Sequence, residues 1–227
     1  MSDQMAALET RWQEAVERED VGQVESLVRE ILQQHPDSAL ASQIRYQRGV
    51  LALMEGEGHG SERLAKAMSE FGLGSKAGEA AGDASEPWRS LNLAQLGACK
   101  ARLGNIEEAS RDLQAVAAYR PRTVAGIGAL GTLARVLRDN DREREASRFD
   151  TQRISYARGL VRDNKDADPA TLHELRFVLA QELLDSNYAS EGVEILQELK
   201  ALGATGLGEE MYADVLGVLE QVGASSS

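Results

Sequence analysis

The sequence predicts an all-α chain, and three observations carry that expectation. Ala, Leu, Glu, Gln and Arg dominate while aromatics make up only 4%, and those dominant residues lose least on entering a helix. Apolar residues recur at three- and four-residue spacing almost throughout, as in Val21, Val24, Leu27, Val28, Ile31 and Leu32, which lays one apolar stripe along a helix; alternating strand patterns are absent. Breakers then cut the chain into segments of ordinary helix length.

Eleven helices follow in order. The first spans 6–19 around Leu8 and Trp12; the second, 21–34, carries the stripe just named and stops before Pro36. A third, 38–55, includes Gly49 and is followed by Gly56 at a turn, and a fourth covers 61–71. Residues 72–86 (GLGSKAGEAAGDASE) are Gly, Ala and Ser with scattered charge, so this stretch is expected to be a flexible insertion unable to bury an apolar face. Helices at 87–103 and 105–119 are joined by Gly104-Asn105 and closed by Pro121; others at 123–139 and 141–163 precede a charged linker, 162–168 (RDNKDAD). Asp168 is placed to cap a helix at 170–186 that Pro169 opens. Asn187-Tyr188 leads into 188–203, and 207–222 ends the series. Links this short make consecutive helices antiparallel hairpins.

One hairpin has a recognisable spacing: Leu93-x2-Leu96-Gly97, then Gly104, Ala109-x3-Leu113 and Pro121. Over 88–121 this resembles the tetratricopeptide (TPR) repeat. Gly97 and Ala109 are small where two helices must approach closely, Gly104 turns the chain, and Pro121 ends the second helix. Leu93 and Lys100 stand where the family favours Trp and Tyr. Degenerate copies are marked by Leu8, Val24, Val28 and Ile31, by Gly49 and Gly56, by Leu133-Ala134 with Ala146, and by Leu179-Ala180, Leu183 and Leu196. Pro36 and Pro121 are 85 residues apart; two periods of about 34 leave a remainder that the 72–86 stretch accounts for. The resemblance implies a single domain over 1–227: a TPR-like right-handed solenoid of about five hairpins with a C-terminal capping helix at 207–222. The implied function is protein or peptide binding without catalysis.

Chemical motifs are few. Gly126-Ile127-Gly128-Ala129-Leu130-Gly131 is a formal G-x-G-x-x-G, but a dinucleotide site needs a strand feeding that turn and the preceding LQAVAAY is helical. Gly56-x-Gly58-x-Gly60-Ser61 lacks the Lys-Ser/Thr ending of a P-loop. His35, His59 and His173 are dispersed, Cys99 is the lone thiol, and Asp163, Asp166 and Asp168 miss the calcium-loop pattern, so no metal or cofactor is expected. Cys99 is read as packed and inert, since no nearby His lowers its pKa. Paired acids such as Glu107-Glu108 and Glu209-Glu210 read as exposed faces or first-turn residues.

The net charge of −12 disfavours nucleic acid and anionic membrane as partners. No apolar run is long enough to cross a bilayer, no signal-peptide stretch opens the chain, and a cytoplasmic location is expected. Charge is uneven, however: arginines 135, 138, 142, 144, 148, 153, 158 and 162 with Lys165 make the middle locally basic, while 185–227 holds eight acids against Lys200. Two uses follow, an acidic-peptide contact or head-to-tail attraction between copies. In the family resembled, the first helix of each hairpin lines the groove. Counted from the Leu-Gly position, the inward set is Tyr46, Val50 and Met54, then Ala94, Ala98 and Arg102, then Arg135 and Arg138, then Phe177 and Gln181. Such a surface suits a protein segment with both acidic and apolar residues. The alternative is a structural scaffold that self-associates through its repeats.

Overall fold

The computed structural model describes residues 3–54, 60–186 and 188–225. Among them are twelve α-helices, one 3₁₀ turn and no strand. The chain divides into two compact units, 1–119 and 120–227, where the sequence suggested one domain; the division falls at residues 119–123, which leave the helical conformation around Pro121. Gly56, Gly58 and His59 lie outside the described residues.

The first unit holds α1 (Asp3–Glu17), α2 (Val21–Gln34), α3 (Ala39–Met54), α4 (Gly60–Ala81), the 3₁₀ turn Gly82–Ser85, α5 (Trp88–Arg102) and α6 (Ile106–Ala118). Consecutive helices pair as hairpins α1–α2, α3–α4 and α5–α6. Asp20 caps α2 by accepting from the Gln23 N–H at 3.0 Å, and the Ser38 hydroxyl accepts from the Ala41 N–H at 3.1 Å as α3 begins. In the α5–α6 hairpin a Cβ added at Gly97 would sit 2.9 Å from the Leu113 side chain and 3.3 Å from the Ala109 carbonyl, so the helices meet where the TPR-like spacing expects them to. Gly104 turns the chain at φ +81, a conformation that a side chain would strain. Leu113 is fully buried, which is worth about 1.5–3 kcal/mol of transfer free energy for such a residue.

The expected insertion at 72–86 is corrected by the structure. The helix begun at Gly60 runs on to Ala81, and the 3₁₀ turn completes the segment. Leu64, Ala67, Phe71, Gly74 and Gly78 continue one stripe at spacings of three, four, three and four, so small residues prolong the face that larger ones start. Their smallness is what brings α3, α4 and α5 together. A Cβ at Gly78 would lie 2.7 Å from the Cβ of Arg89, and one at Gly74 only 2.3 Å from Oδ1 of Asn92. Polar groups close the junction. The Ser42 hydroxyl donates to the Gly74 carbonyl at 2.9 Å, the Asn92 amide donates to the Ser42 and Trp88 carbonyls at 2.9 and 2.8 Å, and the Ser85 hydroxyl donates to the Gly78 carbonyl at 2.7 Å. Ser42, Ser85 and Asn92 are fully buried; both hydroxyls and the Asn92 amide nitrogen are paired, while the Asn92 Oδ1 has no hydrogen-bond partner among the described residues, and a buried polar group left unpaired costs about 1–3 kcal/mol. Arg45 and Arg48 of α3 reach Glu70 of α4 at 2.7 and 3.1 Å.

The second unit holds α7 (Val124–Arg138), α8 (Glu143–Asp163), α9 (Pro169–Leu184), α10 (Ala189–Ala201), the short α11 (Gly203–Leu207) and α12 (Glu209–Ser225). Hairpins α7–α8 and α9–α10 bring the described hairpins to five. Thr123 and Asp168 cap α7 and α9, and Pro169 occupies the first turn of α9 as the sequence predicts. Gly126 lets α7 rest on the Tyr156 ring, whose hydroxyl accepts from the Thr123 N–H at 3.1 Å. Gly192 does the same for α9–α10, since a Cβ there would be 2.8 Å from the Ala180 carbonyl. Helix α12 covers the end of the series: Val215 is fully buried with Ala180, Leu196 and Leu199.

Candidate functional site

Within the second unit, α8 packs on both α7 and α9, while α7 and α9 make no extensive contact with each other. The space left between them is a cleft of about 1190 Å³ with α8 as its floor. One wall is the α7 stripe Gly128, Gly131, Thr132, Arg135 and Arg138; the opposite side is formed by Glu182, Asp185 and Ser186 at the end of α9, with Tyr188 beyond. Along the floor run Ser147, Thr151, Ser155, Arg158 and Arg162, at spacings of four, four, three and four that keep them on one helical face.

Six arginines and three carboxylates line this cleft. Most of the arginines are tied to neighbouring helices. Arg138 reaches Asp150 at 2.6 Å and Glu143 at 3.2 Å, Arg158 reaches Glu191 of α10 at 2.5 Å, and Arg122 pairs with Asp163. Arg153 lies 2.7 Å from Glu182, joining α8 to α9, with each side chain about one-fifth exposed. Burial pushes the Glu182 carboxyl above the ordinary glutamate range; Arg153 opposes the shift, and Asp185 and Asp150 reinforce it. Arg158 also stacks over the Tyr188 ring, 4.8 Å from its centroid. Arg135 has no ion-pair partner among the described residues, and Arg162 is 74% exposed with only a 3.9 Å approach to Asp163. These two guanidinium groups are the ones open to an incoming anion.

The glycine motif belongs to this cleft. Gly126, Gly128 and Gly131 all lie within α7, with no strand before them. Gly126 makes the close packing contact expected of it, whereas a Cβ at Gly128 would meet nothing within 4 Å, and one at Gly131 would be 3.0 Å from the Arg153 guanidinium. Gly128 and Gly131 line the cleft and add no side chain to it. Among the described residues no group of three or more His, Cys, Asp and Glu side chains is arranged to hold a metal, and no helix is long and apolar enough to cross a membrane. Cys99 is buried, and that burial pushes its thiol pKa up against the pull of Arg102.

The ten groove residues inferred from the TPR-like register fall in several places. Arg135 and Arg138 line the cleft. Phe177 lines a separate hollow beside α12, and Gln181 is exposed on α9 without lining either. In the first unit Tyr46 and Val50 pack beside the buried Phe71, with the Tyr46 ring 6.0 Å from Phe71 and 5.6 Å from Trp88. Met54 is 74% exposed at the end of α3; Ala94 and Ala98 are half-buried on α5, and Arg102 is exposed. Counting repeats missed the α8 contribution, because in the pattern resembled the first helix of each hairpin supplies the groove. A signal was present: the hydroxyl and arginine stripe from Ser147 to Arg162 is polar at helical spacing on a helix whose other face is apolar.

No protein-family model matches the chain, and no curated protein matches it. Two solved structures do. A crystal structure of nearly identical TPR-like repeats from a Podosopora anserina kinesin light chain candidate aligns over 88% of this chain and 96% of its own, at 15% identity and a TM-score of 0.45. A point variant of the same repeats aligns over 90% and 98%, at 15% identity and a TM-score of 0.46.

Proposed function

We propose that the chain is a non-catalytic binding protein and that the α7–α8–α9 cleft takes an acidic segment of a protein partner. The observation that carries this reading is the pair of uncommitted guanidinium groups, Arg135 and Arg162, in a cleft edged by hydroxyl side chains within an otherwise acidic chain. Arginine forks bind carboxylates with two parallel hydrogen bonds, and the hydroxyls of Thr132, Thr151 and Ser155 can serve backbone or side-chain groups of an extended or helical ligand.

The test is selection of acidic segments from a displayed peptide library, followed by calorimetric titration of the best binder. Arg135→Glu with Arg162→Glu is expected to weaken that binder at least about tenfold, equivalent to about 1.4 kcal/mol, with the helical circular dichroism unchanged. Arg138 is left intact because its ties to Asp150 and Glu143 are structural. Unchanged affinity in the double variant, or a library that yields no binder at low salt, refutes the reading.

A further inference from the structure

Two other concave surfaces carry opposite charge on similar apolar frames. In the first unit a trough of about 640 Å³ lies where α2 and α3 meet only lightly. Val24, Val28 and Leu32 of α2 and Leu51 of α3 form its apolar part, and Leu51 is 56% exposed. Four cations surround it, Arg29, Arg45, Arg48 and Lys66, against one lining acid, Glu25. Arg45 and Arg48 share the single carboxylate of Glu70, and Arg29 has no ion-pair partner among the described residues. In the second unit a hollow of about 770 Å³ is framed by Leu175, Phe177 and Val178 of α9 and by Met211 of α12. Its charges are all negative: Glu174, Glu209, Glu210 and Asp214, none with an ion-pair partner among the described residues and with no base in the lining. Val124 on its edge is 50% exposed.

We propose that the chain associates head to tail with copies of itself, the trough of one copy receiving the acidic edge of α12 from a second copy. The exposed side of α12, at the rim of that hollow, is the face offered to the trough. Glu210 and Asp214 are one turn apart on its exposed side, with the half-buried Met211 beside them. Laid in the trough, this helix face would set its carboxylates among Arg29, Arg48 and Lys66 and its apolar edge against Val28, Leu32 and Leu51. Charge selects the pairing: trough against trough, or edge against edge, places like charges together, whereas trough against edge relieves both excesses. A contact between two different surfaces of one chain is heterologous, so each bound copy presents a fresh trough or a fresh edge. Neither surface includes the α7–α8–α9 cleft, so this inference goes beyond the peptide-binding function and fails or stands separately from it.

Sedimentation velocity of the full chain over a concentration series tests it. The wild type is expected to grow from monomer to dimer and longer species, and to lose at least tenfold in affinity between about 0.1 M and 1 M salt, as the screening length falls from about 10 to 3 Å. Arg29→Glu with Lys66→Glu, and separately Glu210→Lys with Asp214→Lys, should each be monomeric where the wild type associates. Mixing these two variants should restore a complex, because one retains the native edge and the other the native trough. Circular dichroism checks each fold, and Arg29→Gln with Lys66→Gln serves if the reversed trough fails to fold. Arg135→Glu should associate like the wild type. A monomeric wild type at every concentration, a mixture no larger than its parts, a reversed variant that associates normally, or loss of association in Arg135→Glu overturns the proposal.

Discussion

Replacing Gly74 by Ala puts a single methyl group at the tightest point of the first unit. Its Cβ would lie 2.3 Å from Oδ1 and 2.5 Å from Cγ of Asn92, a side chain that is fully buried and held by the Ser42 and Trp88 carbonyls. The amide must swing away or α4 and α5 must separate. Overpacking of this kind costs about 1–3 kcal/mol, and each Asn92 hydrogen bond lost from the buried junction costs about 1 kcal/mol or more. Against this, Ala in place of Gly within a helix gains about 1 kcal/mol. The expected net loss is about 2–4 kcal/mol. Urea unfolding followed by tryptophan emission measures it, since Trp12 and Trp88, the chain's two tryptophans, both lie in this unit. The decisive comparison is made in an Asn92→Ala background, where the obstructing amide is gone. There Gly74→Ala should be neutral or stabilising, giving a coupling of about 2 kcal/mol or more. A single variant as stable as the wild type, or a penalty of equal size in both backgrounds, refutes the argument that these residues meet in a fixed geometry.

Two further outcomes follow from the same physics. Because burial raises the Glu182 pKa in the folded state, the folded form binds that proton more tightly than the unfolded chain, so the contribution is favourable at acid pH and is lost as pH rises from the ordinary glutamate range through the raised value. The stability of the wild type relative to Glu182→Gln should therefore fall over that window in chemical denaturation at a series of pH values, and a difference that grows with pH contradicts the burial effect. In the first unit, backbone amides of residues 71–81 should exchange slowly with deuterium and Lys76 should resist trypsin, because α4 continues through this stretch with Gly74, Ala77 and Gly78 buried; preferential cleavage at Lys76 in the native protein counts against it.

Hairpins were legible wherever large apolar residues, a turn glycine and a terminating proline occurred together, as in the Leu93–Pro121 repeat, and wherever a cap was local, as at Asp168-Pro169. The second half of α4 was not. Composition weighs a run of Gly, Ala and Ser as entropically costly, and the compensation lies in residues remote in sequence: Ser42 and Asn92 lie 32 and 18 positions from Gly74. Small residues at a stripe's spacing were the available clue, and its meaning depends on what stands opposite. The arginine-rich middle was likewise visible as charge, but its division into structural ties and open groups was hidden, since Arg153 and Arg158 find Glu182 and Glu191 about 30 residues downstream. Arg135 differs from Arg138 only in lacking such a neighbour.

The burial of Cys99 gives the first unit an internal clock. The thiol is 1% exposed in α5, near Phe71 and Ala67, and burial further disfavours the reactive thiolate. A thiol reagent can modify it only when α5 and its neighbours part, so the labelling rate in water reports the free energy of that opening without denaturant. With a single cysteine in the whole sequence, the signal belongs to one place. The same chemistry makes α5 a point of oxidative vulnerability during opening, because an oxidised sulfur has no polar site to return to: a sulfenic group can still be reduced and the fold regained, whereas each opening event that ends in a sulfonic group removes a molecule from the folded population for good.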